Sequence, residues 1–285
     1  MSNSNSFRRS RQFLLAIAIT FIWFSLAIAA PQDAIFKALP NAHAHNDYLH
    51  KRPLLDALDH GFCSVEVDIF LVGDQLLVGH DRWSLKKDRT LQKLYLAPLM
   101  RRIEKNDGRI YKDGPVFTLL IDIKQNGDTV YAHLKNVLEG YRPMLSGLDE
   151  GEFKKRAVQI VISGSCPRDL IRNDSNRLVG IDGRLHDLES DEPANLIPMI
   201  SARWGSTFKW RGHSELSSVE LQKLESIVAR AHKSGRIMRF WATPESTTVW
   251  DRLLATKVDL INTDRLPMLR DYLINRNRVE HGNPK

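Results

Sequence analysis

Short apolar runs, each ended by polar or glycine residues, recur along the whole chain. They lie near residues 40–45, 63–69, 117–123, 157–162, 178–181, 198–201, 237–242 and 259–262. Runs that are apolar on both faces are typical of buried parallel strands. Eight such strands, separated by helical patterns, predict an α/β fold of the TIM (β/α)8 barrel type. A further run near residues 76–80 predicts an extra β-hairpin after the second strand.

Amphipathic patterns between these runs predict crossover helices. In SVELQKLESIVARAHKSG, Ser217 and Glu220 form a capping-box pattern, an apolar stripe follows, and Gly235 ends the segment. In PLLDALDHG, Pro53 suits the first turn of a helix and Gly61 suits its C-terminal cap. The charged stretch over residues 82–112 predicts a long loop with one helix that lies over the barrel mouth.

The second predicted strand carries two acidic residues in FCSVEVDIF. Because residues i and i+2 of a strand point to the same face, Glu66 and Asp68 are expected to converge. Two neighbouring carboxylates repel each other unless a cation lies between them, and oxygen ligands suit magnesium or calcium. The alternative is a polar alternation on an exposed edge strand, which Val65, Val67 and Ile69 disfavour.

A second polar pair leaves the strand in VFTLLIDIKQNGD. Asp122 and Lys124 share one face by the same geometry. If this strand lies beside the first, Asp122 is a third carboxylate for the cation and Lys124 can neutralise a phosphate oxygen. A structural ion pair between the two side chains explains the pattern equally well.

Other polar and aromatic residues follow the predicted strands. Trp241 ends the strand in RFWATP, where it either stacks on a substrate headgroup or belongs to the core. Asn46 and Asn262 are expected to contact substrate at the barrel mouth. Asp264 either lines the rim or caps the helix after Arg265.

The order of the motifs AHND, VEVD, VGHD, IDIK, RFWATP and VDLINTDRLPML resembles one superfamily over roughly Leu39 to Tyr272. This is the PLC-like phosphodiesterase superfamily of glycerophosphodiester phosphodiesterases and spider-type phospholipases D. Within it, the chain is most similar to the altered inheritance of mitochondria protein 6 type. The chain departs from glycerophosphodiester enzymes in two ways: His45, Asn46 and Asp47 replace their His-Arg-Gly, and no compact insertion domain follows the VGHD motif. Both departures leave the substrate open.

The resemblance implies a site and a reaction. It implies that His45 and His80 are the catalytic pair, with Lys124 near the phosphate. It also implies that one magnesium or calcium ion is bound by the three acids Glu66, Asp68 and Asp122. The expected activity is metal-dependent hydrolysis of a phosphodiester, from a lipid or a lipid-derived headgroup, by two-histidine acid/base catalysis. The sequence leaves open whether the nucleophile is water or a neighbouring substrate hydroxyl, which would give a cyclic phosphate.

Two other functions remain open from the sequence. His43 and His45 at a first strand imitate the H-x-H metal motif of amidohydrolase-like barrels, although the later strands supply no further histidines. The other alternative is a catalytically silent barrel that binds lipid or phosphate. The complete set of two histidines and three acids argues against lost chemistry.

Composition agrees with one exported domain. The 285 residues are 42% hydrophobic and 26% charged, which predicts a single barrel domain over residues 30–285. Without Arg8, Arg9 and Arg11 of the N-terminal segment, 38 basic residues face 34 acidic ones. This mild excess is compatible with a small-molecule or lipid phosphodiester and with contact to a membrane surface. The absence of a basic run with interleaved aromatics argues against nucleic acid, and we expect a monomer.

The first 29 residues form a predicted signal peptide. A basic segment FRRSRQ precedes the apolar stretch FLLAIAITFIWFSLAIAA, and Ala27, Ile28 and Ala29 give a small-residue cleavage pattern. Export follows, unless the segment stays uncleaved as a membrane anchor. Cys63 and Cys166 belong to no C-x-x-C pair, so we expect buried free thiols and no zinc site.

Overall fold

A computed structural model describes residues 37–280, and the predicted signal peptide lies outside these residues. Eight parallel strands close into a barrel. In chain order they are β1 (Leu39–Ala44), β2 (Phe62–Val72), β4 (Phe117–Ile123), β7 (Val158–Gly164), β8 (Val179–Gly183), β9 (Met199–Arg203), β10 (Ile237–Trp241) and β11 (Leu260–Thr263). Pairing of β1 with both β2 and β11 closes the sheet, which confirms the TIM barrel prediction.

Two short hairpins decorate the barrel. The strand β3 (Gln75–Val78) pairs antiparallel with the end of β2, which confirms the extra hairpin. The strands β5 (Gly147–Asp149) and β6 (Glu152–Lys154) form a second hairpin that the sequence reasoning did not predict. Its turn residues Glu150 and Gly151 both have positive φ, which is typical of tight two-residue hairpin turns.

Helices connect the barrel strands. They are α1 (Leu55–Asp59), α2 (Ala97–Lys105), α3 (Gly127–Glu139), α4 (Arg168–Arg172), α5 (Trp204–Thr207), α6 (Ser218–Lys233), α7 (Thr247–Ala255) and α8 (Leu266–Glu280). A π-helical turn, Gln92–Leu96, leads directly into α2. Since α2 buries Leu99 and Ile103 and connects the β2–β3 hairpin with β4, it is a crossover helix. The prediction that residues 82–112 lie over the mouth is therefore wrong for their second half.

Helix ends follow the predicted capping chemistry only in part. Ser217 caps α6 by accepting a hydrogen bond from the Glu220 backbone N–H (3.2 Å). The Glu220 side chain does not complete the capping box, because its carboxylate accepts from the Lys209 backbone N–H instead (2.6 Å). Pro53 precedes α1 rather than opening it, and Gly61 follows that helix with a φ of +83°.

The barrel interior has an apolar floor beneath a polar layer. Buried side chains from four strands, Leu120, Val161, Met199 and Leu260, form a separate apolar cluster. Two positions further along the same strands stand polar residues: Asp122, Ser163, Ser201 and Asn262. Since residues two apart share a strand face, the polar layer lies directly above the floor, towards the carboxyl ends of the strands. Polar groups inside the barrel thus face its mouth.

A further sequence prediction concerns the two thiols. Cys63 is buried, Cys166 is half-buried, and both are free, as predicted. Burial raises the pKa of both thiols to about 12, so neither is a ready nucleophile. Among residues 37–280, no helix has both the length and the hydrophobicity required to cross a bilayer.

Candidate active site at the barrel mouth

Three carboxylates from two neighbouring strands converge at the barrel mouth. Glu66 and Asp68 of β2 and Asp122 of β4 each offer an oxygen within 4.8 Å of the others. Parallel pairing sets Asp68 directly beside Asp122. Gly164 makes room for the cluster, since a Cβ there would lie 2.4 Å from Asp122 Oδ1. Three convergent oxygens at this spacing fit the donor set that magnesium or calcium prefers.

Burial and mutual repulsion disfavour the charged form of two of these acids. Burial raises the pKa of Asp122 to about 6, and the charges of Asp68 and Glu66 add to the rise against the opposing charge of Lys124. Burial also raises the pKa of Asp68, which Lys124 and the Tyr48 hydroxyl only partly offset. A cation between the carboxylates would relieve this repulsion.

Lys124 and Tyr48 flank the acids. The Lys124 ammonium lies 3.2 Å from Asp68 Oδ2 and 3.5 Å from Asp122 Oδ1. The buried Tyr48 hydroxyl donates to Asp68 Oδ2 (2.8 Å) and lies 2.9 Å from Asn46 Oδ1. Tyr48 was not among the predicted site residues, although it stands only three positions after His45. It connects the loop after β1 with the carboxylate cluster.

The third acid has its own buried partners. Arg239 of β10 forms an ion pair with Glu66, and its Nε donates to Asn262 Oδ1 (3.0 Å). His43 Nε2 lies 3.5 Å from Glu66 Oε2, and its Nδ1 lies 2.7 Å from the Ser64 hydroxyl. Although burial alone raises the pKa of Glu66, the charge of Arg239 and the hydrogen bond to His43 bring it below its usual range. Glu66 therefore stays ionised.

Sequence reasoning missed Arg239. An arginine that alternates with Trp241 on an apolar strand is the only sequence signal for it. Burial and the charge of Arg239 lower the pKa of His43 to about 4, so that imidazole is neutral. His43 thus packs as a buried, hydrogen-bonded partner of Glu66. Within residues 37–280, the side chains that lie close enough together to bind one metal ion are carboxylates, and no histidine is among them.

Formal charges in the cluster nearly balance. The acids Glu66, Asp68 and Asp122 face the cations Lys124 and Arg239, which leaves one net negative charge. A divalent cation would turn this into one net positive charge. A phosphodiester carries one negative charge, so the loaded site and such a substrate would be complementary.

His45 lies at the end of β1 and is oriented by Asp264. Its backbone N–H donates to the Thr263 carbonyl (3.0 Å), and its Nδ1 lies 2.7 Å from Asp264 Oδ1. Burial lowers the pKa of His45, but the hydrogen bond to Asp264 and the charge of Glu66 raise it further, to above its usual value. With the proton held on Nδ1, the other ring nitrogen is available for chemistry. Of the two expectations for Asp264, contact at the rim describes it better than a helix cap.

His80 follows the hairpin strand β3 on an exposed loop. The Gly79 backbone N–H donates to the Asp68 carbonyl (3.1 Å), which holds this loop beside the acids. The His80 side chain is 59% exposed, and its Nδ1 lies 3.2 Å from Asp81 Oδ1. The two proposed catalytic histidines are therefore held differently. Asp264, which follows the neighbouring strand β11, orients the His45 ring, whereas the His80 ring contacts only the next residue in the chain among the contacts described, Asp81.

The three predicted substrate contacts have different surroundings. Asn46 has positive φ, and its amide lies 3.0 Å from His45 Nδ1. Trp241 is 36% exposed at the end of β10, with the Arg203 guanidinium 5.7 Å from its ring centre. Asn262 is only 5% exposed and accepts from Arg239, so it supports the Glu66 ion pair from inside the barrel.

A buried carboxyl anchors the loop that carries Asn46 and Tyr48. Asp47 Oδ2 accepts from the Tyr95 hydroxyl (2.8 Å) and the Leu54 backbone N–H (2.5 Å), whereas Oδ1 has no hydrogen-bond partner. Burial raises the pKa of Asp47 to about 7. The folded protein therefore holds this proton more tightly than the unfolded chain does. The resulting stability is complete below pH 4 and declines up to about pH 7.

Replacing Asp47 by asparagine is expected to remove this pH dependence. Between about pH 5 and pH 8, the free energy of unfolding of the unchanged protein should fall by about 2 kcal/mol relative to Asp47→Asn. Urea unfolding of both proteins across this range measures the difference. Parallel stability curves for the two proteins would show that Asp47 titrates normally.

Comparisons with known proteins identify the family of this chain. Residues 34–182 match the AIM6-like phosphodiesterase domain family. The chain is 28% identical over 260 residues to "Altered inheritance of mitochondria protein 6 homolog" of Arthroderma benhamiae, with 81% of this chain and 82% of that protein covered. It is 27% identical over 270 residues to "Altered inheritance of mitochondria protein 6" of Eremothecium gossypii, with coverage of 82% and 69%.

A solved structure has a similar fold. The crystal structure of a glycerophosphodiester phosphodiesterase from Parabacteroides distasonis superposes with a TM-score of 0.54 at 16% identity, covering 85% of this chain and 99% of that one. This likeness concerns the fold alone, which is that of a phosphodiesterase barrel. The family match includes β1, β2 and β4, and hence His45, His80 and all three acids of the cluster. The chain belongs to the AIM6-like phosphodiesterase family.

Proposed function

We propose that this protein is a metal-dependent phosphoric diester hydrolase that acts on a lipid or lipid-derived phosphodiester. The observation that carries the proposal is the convergence of Glu66, Asp68 and Asp122 within 4.8 Å, with His45 on the adjacent strand. Membership of a phosphodiesterase family supports the same reaction class.

The three acids fit one magnesium or calcium ion. Such an ion, when bound, would act as a Lewis acid that polarises the phosphoryl oxygen. Lys124 lies within 3.5 Å of both Asp68 and Asp122, so its ammonium can approach a non-bridging phosphate oxygen beside them. Arg239 has a different part: it holds Glu66 ionised and in place.

The two histidines would move the protons. Hydrolysis requires that one group accept a proton from the attacking oxygen and another donate one to the leaving oxygen. Asp264 stabilises the imidazolium form of His45. His45 passes through this form whether it acts as the general base or as the general acid. His80, held near Asp68 by the Gly79 hydrogen bond, would supply the partner imidazole.

An aromatic side chain near the site favours a substrate with a headgroup. The cluster lies towards the carboxyl ends of the strands, and Trp241, which is 36% exposed, ends β10. An indole there can stack on a headgroup or its cation. The proposed export of the mature chain would bring the site to membranes outside the cytosol. One barrel carries the complete proposed residue set, so we propose that a monomer is active.

Metal removal tests the proposed function directly. Protein treated with a chelator and dialysed should lose hydrolysis of bis(p-nitrophenyl) phosphate by about 100-fold or more, because the acids then repel each other and the phosphoryl group is not polarised. Addition of magnesium or calcium should restore it. A panel of lysophospholipids, glycerophosphodiesters and inositol phospholipids then identifies the substrate. Undiminished hydrolysis without metal would refute metal dependence, and no hydrolysis of any phosphodiester would indicate a silent binding barrel.

A further inference from the structure

Large apolar side chains that are exposed to solvent concentrate at the mouth of the barrel. Residues 37–280 contain ten such side chains, and eight of them lie at the carboxyl end of the strands. Four are on mouth loops or strand ends: Leu49, Val72, Trp83 and Trp241. The other four lie in the first turns of α1, α4, α6 and α8, which begin at the mouth because each follows a barrel strand.

Trp83 is the most exposed of these side chains. It is 94% exposed on a short 3-10 turn, Arg82–Ser84, just after His80. The turn is held in place, because Arg82 Nε donates to Gln125 Oε1 (3.2 Å) and the Arg82 guanidinium lies 5.9 Å from the centre of the Phe70 ring. An indole is therefore presented to solvent beside the candidate active site.

Leu49 belongs to the same surface. It is 72% exposed in the turn after β1, and Arg89 donates to the carbonyl of the preceding Tyr48. That hydrogen bond joins the turn after β1 to the loop that carries Trp83. We call the combined region the docking surface, and define it by Leu49, Lys51, Trp83, Lys86 and Lys87.

The docking surface is also basic. Lys51, Lys86 and Lys87 are exposed, and within the described part of the chain their side chains form no ion pair. Asp81 and Asp88 are the acidic residues of the same loop. Indole rings favour the boundary between lipid headgroups and acyl chains, and each lysine near an anionic bilayer adds attraction. Exposed apolar groups with unpaired lysines therefore complement an anionic lipid surface.

We propose that the docking surface binds an anionic phospholipid bilayer, so that the barrel mouth faces the headgroups. This orientation would give a membrane phosphodiester direct access to the carboxylate cluster. In that respect the inference rests on the proposed function. The binding itself is independent of it, since neither Trp83 nor the three lysines belong to the proposed catalytic set.

Tryptophan quenching by lipid tests the orientation. The chain from residue 30 onwards, without the predicted signal peptide and its Trp23, is mixed with vesicles that contain brominated phosphatidylcholine and roughly 30% phosphatidylserine. The matched control is the double variant Trp83→Phe/Phe153→Trp, which moves one indole to the β5–β6 hairpin at the opposite end of the barrel. Phe153 is 36% exposed there, less than Trp83, and Lys154 and Lys155 follow it, so the amino-acid composition is unchanged and lysines lie near the indole in both proteins.

We expect stronger quenching of the unchanged protein than of the double variant, because Trp241 lies at the mouth in both proteins and only the position of the other indole differs. Replacing Lys86 and Lys87 by glutamine should weaken binding by about fivefold per lysine, as judged by the vesicle concentration that gives half-maximal quenching. Equal quenching of the unchanged protein and the double variant would overturn the inference, and so would equal binding to neutral vesicles.

A separate assay distinguishes this inference from the proposed function. Trp83→Phe/Phe153→Trp should hydrolyse soluble bis(p-nitrophenyl) phosphate like the unchanged protein. Vesicle binding without hydrolysis of any phosphodiester would refute the proposed function and leave the docking surface intact. Hydrolysis without Trp83-dependent quenching would refute the docking surface alone.

Discussion

Asp122→Asn is expected to abolish phosphodiester hydrolysis while making the metal-free protein more stable. The substitution replaces one of the three convergent carboxylates by a neutral amide, which binds a divalent cation more weakly. We therefore expect kcat/KM to fall by about 1000-fold. Burial and neighbouring acids raise the pKa of Asp122 to about 6, so its charged form destabilises the fold at higher pH. At about pH 8 the neutral amide should therefore raise the free energy of unfolding by about 1 kcal/mol.

Opposite changes in activity and stability separate a functional residue from a structural one. Hydrolysis is measured with added magnesium, metal binding by titration calorimetry, and stability by urea unfolding in chelator. Asp113→Asn, at an exposed aspartate on the opposite end of the barrel, is the matched control and should change neither quantity. Full activity in Asp122→Asn, or a less stable metal-free protein, would contradict the role assigned to this carboxylate.

His45→Asn should lower kcat/KM by about 100-fold or more, because an amide cannot exchange the proton that general acid/base catalysis requires. Its fold should be preserved, since the side chain contacts Asp264 and Asn46 at the mouth rather than the barrel core. Steady-state hydrolysis of a soluble phosphodiester measures the effect. Substitution of the exposed His186 by asparagine serves as the control.

Asp264→Asn tests how His45 is supported. Without the carboxylate, the pKa of His45 should fall, because a neutral amide lacks the charge of Asp264 and accepts a weaker hydrogen bond from the imidazolium. The limb of the pH–rate profile that belongs to His45 should therefore move to lower pH, with a smaller loss of rate than in His45→Asn. An unmoved profile would show that Asp264 does not act through His45, and wild-type activity in His45→Asn would eliminate the two-histidine mechanism.

Local patterns predicted the barrel well where a strand or helix carries its own signal. The alternation in FCSVEVDIF and VFTLLIDIK predicted both strands and a shared face for Glu66 and Asp68, and the structure has both strands. The parallel pairing of Asp68 with Asp122 was a hypothesis that depended on strand order, and the structure has it. The β5–β6 hairpin was missed because its strands are three residues each, too short to show a period.

Contacts between residues that are far apart in the chain could not be predicted from local sequence patterns. Arg239 lies 173 positions after Glu66, and Asp264 lies 219 positions after His45, so no local spacing indicates either pair. The expected capping box at Ser217 failed for a similar reason, since Lys209 from another segment takes the Glu220 carboxylate. Tertiary partners thus redirected side chains whose local pattern predicted another contact.

The sequence by itself determined that Glu66 and Asp68 share one strand face and that Asp122 lies near the end of another strand, because these features depend on the two-residue period of strands and on the order of the motifs. Only the tertiary structure decided how these groups are charged and oriented. Barrel closure pairs β11 with β1, which gives His45 its aspartate, and it lets Arg239 of β10 reach Glu66 of β2 inside the barrel. Burial then sets each pKa, since desolvation depends on packing around the whole ring of strands.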